Sequence, residues 1–218
     1  GKDLYCNHKI GKEVFDTIDQ ALNEKFSKLI FEGNENDLQL TRNTQPALLA
    51  VSMAIVKILE FELKKKTEDF VEVVLGHSLG EYSALVCSES LDFGDALYLL
   101  HERGKAMQEA VPVGKGGMLA VLGTSVDTIK NYMEDVKKNG VCEIANDNAS
   151  GQVIVSGKAE SVKLFQNLLK KEKIKSIPLK VSAPFHCSLM QSAAEIMRDK
   201  INKINFNAPN KEIISNVT

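Results

Sequence analysis

The sequence lacks a strong excess of charge of either sign. Its 27 lysines and arginines nearly balance its 29 aspartates and glutamates, which gives a formal net charge of −2. Such a chain has no global field to attract nucleic acid or an acidic membrane. Long apolar runs are also missing, because the stretch at 46–56 is too short to cross a bilayer and Lys57 follows it. No signal-peptide pattern opens the sequence. With 44% hydrophobic and 26% charged residues, it is typical of a soluble globular protein.

Cysteine and arginine are scarce as well. The four cysteines show no Cys-x-x-Cys spacing and no adjacent histidine cluster; they are Cys6, Cys87, Cys142 and Cys187. This spacing argues against a zinc site and against a disulfide framework, and it favours free thiols in a reducing compartment. The arginines are Arg42, Arg103 and Arg198 alone. Each is therefore a candidate for a task that lysine performs less well, such as the bidentate binding of a carboxylate.

Residues 76–82 read GHSLGEY and contain Gly-x-Ser-x-Gly centred on Ser78. A β-branched apolar run precedes them at 71–75, and a helix-like stretch follows at 82–87. In the order strand, tight turn, helix, this motif holds a nucleophilic serine on a strained turn. We expect both glycines to be needed, because a side chain two residues from the serine would collide with the strand or the helix. The alternative is an ordinary strand–turn–helix connection.

A serine hydroxyl needs a base before it becomes a good nucleophile. His8 is predicted to lie on the surface, His77 to point away from its neighbour Ser78, and His101 to lie on the flank of a helix. His186 instead follows Pro184 at a predicted junction between two domains, where a cleft is expected. Spacing alone leaves its role as the base open.

Arg103 has two interpretations from sequence alone. It could form a surface ion pair with Glu102 or Glu109, which would stabilise the fold little. It could instead clamp a substrate carboxylate with its planar fork of donors.

The chain order predicts an α/β protein with an insertion. Helices are expected at 13–31 and 93–110, a polar loop at 32–43, and a helix with Thr44 as its N-cap and Pro46 in its first turn. A strand is expected at 71–75, a helix at 188–204 and a strand at 212–217.

After Pro112 the pattern becomes β-α-β-β-α-β. Strands are expected at 116–123, 141–145, 152–156 and 174–181, helices at 126–138 and 161–173, and a turn at 146–151. This pattern predicts a ferredoxin-like subdomain at 113–182, inserted in a body formed by 1–112 and 183–218.

Five segments carry a resemblance to a known family, and they occur in one order along almost the whole chain. They are QPA at 45–47, GHSLGEY at 76–82, RGKAMQ at 103–108, NDNASGQ at 146–152 and SAPFHCSLM at 182–190. Together they resemble the malonyl-CoA:acyl carrier protein transacylases of bacterial-type fatty acid synthesis. The resemblance implies an α/β-hydrolase-like body with an inserted ferredoxin-like subdomain.

The resemblance also implies roles for individual residues. Ser78 matches the acyl-accepting nucleophile, His186 the general base of a Ser–His dyad, and Arg103 the arginine that binds the malonyl carboxylate. Leu79 would supply one oxyanion-hole N–H. Residues that match positions lining the active-site cleft are Gln45, Asn146 and Asn148. The family opens with a strand and a Gly-Gln-Gly-Ser-Gln turn and ends with further strands and helices, so this chain is expected to be truncated at both ends.

The substrates implied are malonyl-CoA and the phosphopantetheine thiol of acyl carrier protein, with no metal, no organic cofactor, no nucleic acid and no membrane as partner. A monomer is expected, in the bacterial cytoplasm or in an organelle matrix of bacterial descent. Three alternatives stay open: an acyltransferase for another acyl group, a serine thioesterase or hydrolase, and a non-catalytic binding module.

Overall fold

The computed structural model describes residues 1–217 and divides them into two compact units. The first unit comprises Gly1–Gly104 and residues 197–217, and the second is the continuous segment Lys105–Ile196. Among the described residues, no helix has both the length and the apolar character needed to cross a membrane.

The first unit opens with five helices. They are α1 (Lys2–Asn7), α2 (Lys9–Leu22), α3 (Phe26–Glu32), α4 (Glu35–Gln39) and α5 (Thr41–Leu63). The single helix predicted at 13–31 is therefore wrong: Asn23 ends α2 with a positive φ of 51°, and the Asp19 carboxylate accepts hydrogen bonds from the N–H and hydroxyl of Ser27. Much of the loop predicted at 32–43 is helical too, in α4 and the first turn of α5.

The start of α5 also differs from the prediction. Leu40 is the N-cap residue and the helix begins at Thr41, so Thr44 and Pro46 both lie inside it. The Thr44 hydroxyl donates to the carbonyls of Leu38, at 2.5 Å, and Leu40, at 3.2 Å. Because that hydroxyl binds the preceding turn rather than an N–H of the helix, Thr44 does not act as an N-cap.

A short parallel sheet completes the first unit. Strand β1 (Val73–Leu75) pairs with β6 (Glu212–Ile214), with Val74 opposite Ile213. Helices α6 (Gly80–Cys87) and α7 (Phe93–Ala110) follow β1, and α10 (Gln191–Ile201) precedes β6. The core of this unit contains fully buried side chains from α2, α5 and α7, including Phe15, Ile18, Leu49, Leu97 and Leu100. Parallel pairing brings the chain segments after β1 and β6 to the same edge of the sheet.

The second unit contains the predicted ferredoxin-like pattern. Its elements are β2 (Gly116–Leu122), α8 (Val126–Lys137), β3 (Cys142–Ala149), β4 (Gln152–Lys158), α9 (Ala159–Lys171) and β5 (Lys175–Pro178). The strand order is β3-β4-β2-β5 and all three pairings are antiparallel, which confirms the prediction. The turn predicted at 146–151 is shorter, because β3 continues to Ala149 through two irregularities in its pairing with β4.

The second unit is wider than the subdomain predicted at 113–182. Residues of α7 and α10 add a small apolar cluster to it; its buried members are Ala106, Met107, Val111, Ala183, Met190 and Ala193. Because these side chains pack together, the boundaries between the units fall inside α7 and α10.

Candidate functional site

Ser78 lies on a tight turn between β1 and α6. Its φ is +54°, a left-handed value that costs a residue with a side chain about 1–2 kcal/mol. Three backbone bonds close the turn, from Gly80 N to His77 O, from Glu81 N to Ser78 O and from Tyr82 N to Leu79 O, at 2.9–3.2 Å. The predicted strand–turn–helix context of the Gly-x-Ser-x-Gly motif is therefore confirmed.

The two glycines of the motif are not equivalent. A Cβ on Gly76 would overlap the carbonyl of Gly80, so no other residue fits there without a backbone shift. A Cβ on Gly80 would meet no heavy atom within 4 Å among the described residues. The prediction that both glycines are needed is right for Gly76 and wrong for Gly80.

Arg103 on α7 directs its guanidinium at the serine. Its Nη2 donates to the Ser78 hydroxyl at 3.2 Å, and its Nη1 donates to the Gln45 side-chain oxygen at 2.5 Å. Gln45 is 3% exposed, and its amide nitrogen donates in turn to the Thr41 hydroxyl at 2.9 Å. A Cβ on Gly104 would overlap the backbone of Thr41 and Arg42, so α7 crosses α5 closely beside Arg103. This close crossing fixes the arginine against Gln45 and Ser78.

The guanidinium of Arg103 is partly buried and donates to neutral groups. Burial lowers the pKa of its guanidinium, and electrostatic interactions with Tyr82 and Glu81 act in the opposite direction. Burial raises the pKa of the Tyr82 hydroxyl. Glu102 forms its ion pair with Lys200 at 2.6 Å, while the hydrogen bonds described above join Arg103 to neutral groups. A partly buried cation with neutral hydrogen-bond partners is a good receptor for an anion.

Leu79 follows the serine at the start of α6. The N–H groups of Gly80, Glu81 and Tyr82 bind carbonyls of the turn, and none of those bonds uses the N–H of Leu79. The oxyanion role of Leu79 stays a prediction.

Sequence reasoning missed Asn216. Its side-chain oxygen accepts from the Ser78 N–H at 2.7 Å, and its amide nitrogen donates to the Gly76 carbonyl at 2.6 Å and the Glu81 carboxylate at 2.7 Å. Its position two residues after β6 could have indicated this role, because β6 pairs in parallel with β1 and the Ser78 turn follows β1. The prediction of a strand as far as 217 hid this signal.

The remaining predicted residues belong to the second unit. His186 has a φ of +57° and lies in a turn before a 3-10 helix at Ser188–Met190, which α10 follows directly. The Glu143 carboxylate accepts from the Ser188 N–H and hydroxyl, each at 2.7 Å, and so ties this turn to β3. Asn146 and Asn148 lie on β3, where Asn148 is exposed and donates to Gln152 at 3.5 Å. The first unit thus brings together Ser78, Arg103 and Gln45.

Within residues 1–217, no group of three His, Cys, Asp or Glu side chains is arranged to hold a metal ion. The described part of the site contains a hydroxyl, a guanidinium, amides and backbone N–H groups. These groups suit the transfer of an acyl group that carries an anion.

Comparisons with known proteins agree with this chemistry. The chain is 42% identical over 220 residues to the malonyl CoA-acyl carrier protein transacylase of Bacillus subtilis, and the match covers all of this chain and 68% of the relative. It superposes with a TM-score of 0.95, at 43% identity, on the acyl-carrier-protein-S-malonyltransferase of Bartonella henselae, over 100% of this chain and 69% of that one. A structure of a type II PKS acyl-carrier protein in complex with its malonyl-transacylase matches with a TM-score of 0.93 at 35% identity, over 99% of this chain and 69% of that one.

The profile of the acyl transferase domain matches residues 1–218. The chain therefore belongs to the acyl transferase domain family, in the branch of the malonyl CoA-acyl carrier protein transacylases.

Proposed function

We propose that this protein transfers a malonyl group from malonyl-CoA to the phosphopantetheine thiol of acyl carrier protein, through a malonyl ester on Ser78. The observation that carries the proposal is the hydrogen bond of 3.2 Å from Arg103 to the Ser78 hydroxyl. A guanidinium beside the nucleophile binds the free carboxylate of a malonyl group and leaves the thioester carbonyl near the serine. The names of the relatives described above support the same reaction.

In the first half of the reaction, His186 takes the proton of the Ser78 hydroxyl. The serine oxygen attacks the thioester carbonyl and forms a tetrahedral oxyanion, which the N–H of Leu79 stabilises. The C–S bond then breaks, and the coenzyme A thiolate leaves with the proton from His186. In this proposal Asn146 and Asn148 line the cleft.

In the second half, His186 takes the proton of the carrier thiol. The thiolate attacks the malonyl ester, the C–O bond to Ser78 breaks, and the serine oxygen regains the proton from His186. The enzyme thus returns to its starting state after a ping-pong exchange. We also propose that the reaction needs no metal or organic cofactor, because a thioester is already an activated acyl donor. The bacterial cytoplasm is the proposed compartment, since the named relatives are bacterial.

The test is mass spectrometry of the protein after incubation with malonyl-CoA. We expect one malonyl adduct, on the peptide that contains Ser78, and its loss when holo-acyl carrier protein is added. Ser78→Ala should take up no malonyl group, and His186→Ala should take it up much more slowly. An adduct on another residue, or none, would contradict the proposal.

A second measurement separates this reaction from its alternatives. Arg103→Ala should lose its preference for malonyl-CoA over acetyl-CoA, because a neutral acyl chain offers the guanidinium no anion. Release of free malonate at the same rate without carrier protein would identify a hydrolase instead.

A further inference from the structure

Asn216 uses its whole side-chain amide on the turn that carries Ser78. Its oxygen accepts from the Ser78 N–H, and its nitrogen donates to the Gly76 carbonyl and to Glu81. The backbone N–H of Asn216 also approaches the Glu81 carboxylate, at 3.4 Å. One residue therefore binds the end of β1, the serine itself and the first turn of α6.

These partners fix the orientation of the amide. The Ser78 N–H is a donor and needs the oxygen, while the Gly76 carbonyl and the Glu81 carboxylate are acceptors and need the nitrogen. A reversed amide would leave all three contacts repulsive. An aspartate in this place would keep the acceptor for Ser78 and bring a second negative charge against Glu81.

The turn has a reason to need such a clamp. Ser78 is held at a φ of +54°, which a residue with a side chain adopts only when its surroundings impose it. Because the parallel pairing of β1 with β6 ends just before Asn216, the clamp is anchored in the sheet rather than in a loose loop.

We propose that Asn216 is a positioning residue for acyl transfer, which holds the Ser78 turn in the conformation that presents its hydroxyl to Arg103 and the substrate. The proposal rests on the proposed function, since it takes Ser78 as the acyl acceptor. Asn216 acts through the backbone of Ser78 and does not itself touch the reacting atoms.

The first experiment compares Asn216→Ala with Asn210→Ala. Asn210 is a matched control, because it precedes β6 and its amide donates to the Glu68 carboxylate at 2.8 Å, away from the serine turn. We expect Asn216→Ala to lower the rate of Ser78 malonylation by about 10-fold with little change in KM, because it removes the side-chain hydrogen bonds that hold the Ser78 turn. Asn210→Ala should keep the wild-type rate.

Hydrogen exchange provides a readout that does not depend on activity. The Ser78 amide should exchange faster in Asn216→Ala, while the amides of α9 should not change. Equal malonylation rates in wild type and Asn216→Ala would overturn the inference. A wild-type protein that takes up no malonyl group would overturn the proposed function instead, so the two failures are distinct.

Exchanging the amide at 216 and the carboxylate at 81 tests the same contact without relying on the alanine variant to fold. Asn216→Asp should be slowed like Asn216→Ala, because its carboxylate faces Glu81. In the double variant with Glu81→Gln, the new amide donates to the new carboxylate, while the Gly76 carbonyl stays without its donor; the rate should therefore recover in part, by about two- to three-fold over Asn216→Asp. Absence of recovery, with the double variant folded, would contradict the clamp.

Discussion

Gln45 illustrates how a single buried amide controls a charged neighbour. The sequence comparison with the family predicts that Gln45 lines the cleft, and the structure places its oxygen on the Arg103 guanidinium and its nitrogen on Thr41. Gln45 is therefore suited to orient Arg103, whose other described partner is Ser78.

Gln45→Ala should accordingly weaken malonyl binding. Without the acceptor on Nη1, the guanidinium loses its fixed plane, and we expect KM for malonyl-CoA to rise about 10-fold. Steady-state kinetics with malonyl-CoA and holo-acyl carrier protein measures this. Gln39→Ala is the matched control, because the Gln39 amide donates to the exposed Glu35 on α4. Equal KM values for the two variants would show that Gln45 does not orient the arginine.

The buried Cys142 thiol should make the free energy of unfolding depend on pH. The side chain is fully buried, and burial, followed by the nearby Glu143 and Cys187, raises its pKa from 9.0 to about 12. Between those values the unfolded chain has lost a proton that the folded protein keeps, so the free energy of unfolding falls as pH rises. The contribution of this thiol to the slope approaches about 1.4 kcal/mol per pH unit.

Urea unfolding between pH 8 and pH 10 checks this prediction. This pH range spans about one unit on either side of the ordinary thiol pKa. Cys142→Ala should show a shallower decline than wild type, whereas alanine at the exposed Cys6 should decline like wild type. The same slope in all three proteins would refute the assignment.

At the scale of elements, the turn between β1 and α6 depends on one glycine. Gly76→Ala should lower the free energy of unfolding by about 3 kcal/mol, because its Cβ would overlap the Gly80 carbonyl. Gly80→Ala should change it by less than about 1 kcal/mol, because the position is open and helical. Thermal or urea unfolding of the two variants makes a matched comparison. Equal losses would mean that the motif constrains both positions, as its sequence alone suggests.

The sequence predicted the features that depend on residues close together in the chain, and it missed those that depend on distant residues. Helix α7 and the βαββαβ order came from local periodicity, and the structure matches them. The break at Asn23 and the start of α5 depend on side-chain bonds to a neighbouring turn, such as that of Thr44 to Leu38, which periodicity does not reveal. Arg103 and Gln45 were found through their motifs. Asn216 was missed because its partners are 135–140 positions away in the chain.

At the scale of the whole molecule, the second unit has the properties of an independent folding unit. Lys105–Ile196 is continuous in sequence, and the sheet of β2–β5 packs on α8 and α9 around buried side chains such as Val155 and Phe165. A chain of this size with its own core is able to fold alone.

We therefore expect residues 105–196, expressed alone, to give a mixed α/β circular dichroism spectrum and a cooperative thermal transition. Phe165→Ala is the control, because truncation of this fully buried ring costs about 3–5 kcal/mol and should abolish the transition. A broad, non-cooperative melt of the unaltered fragment would show that its core needs the rest of the chain.

The pairing of β1 with β6 has a consequence for folding during synthesis on the ribosome. Ser78 and Asn216 are 138 positions apart, and a ribosome adds ~5–20 residues per second, so roughly 7–30 s separate their synthesis. Residues 105–196 are completed within that interval, while β1 still waits for its partner strand. The pairing of β1 with β6, and with it the bonds from Asn216 to the Ser78 turn, can therefore form only after residues 105–196 have been synthesised.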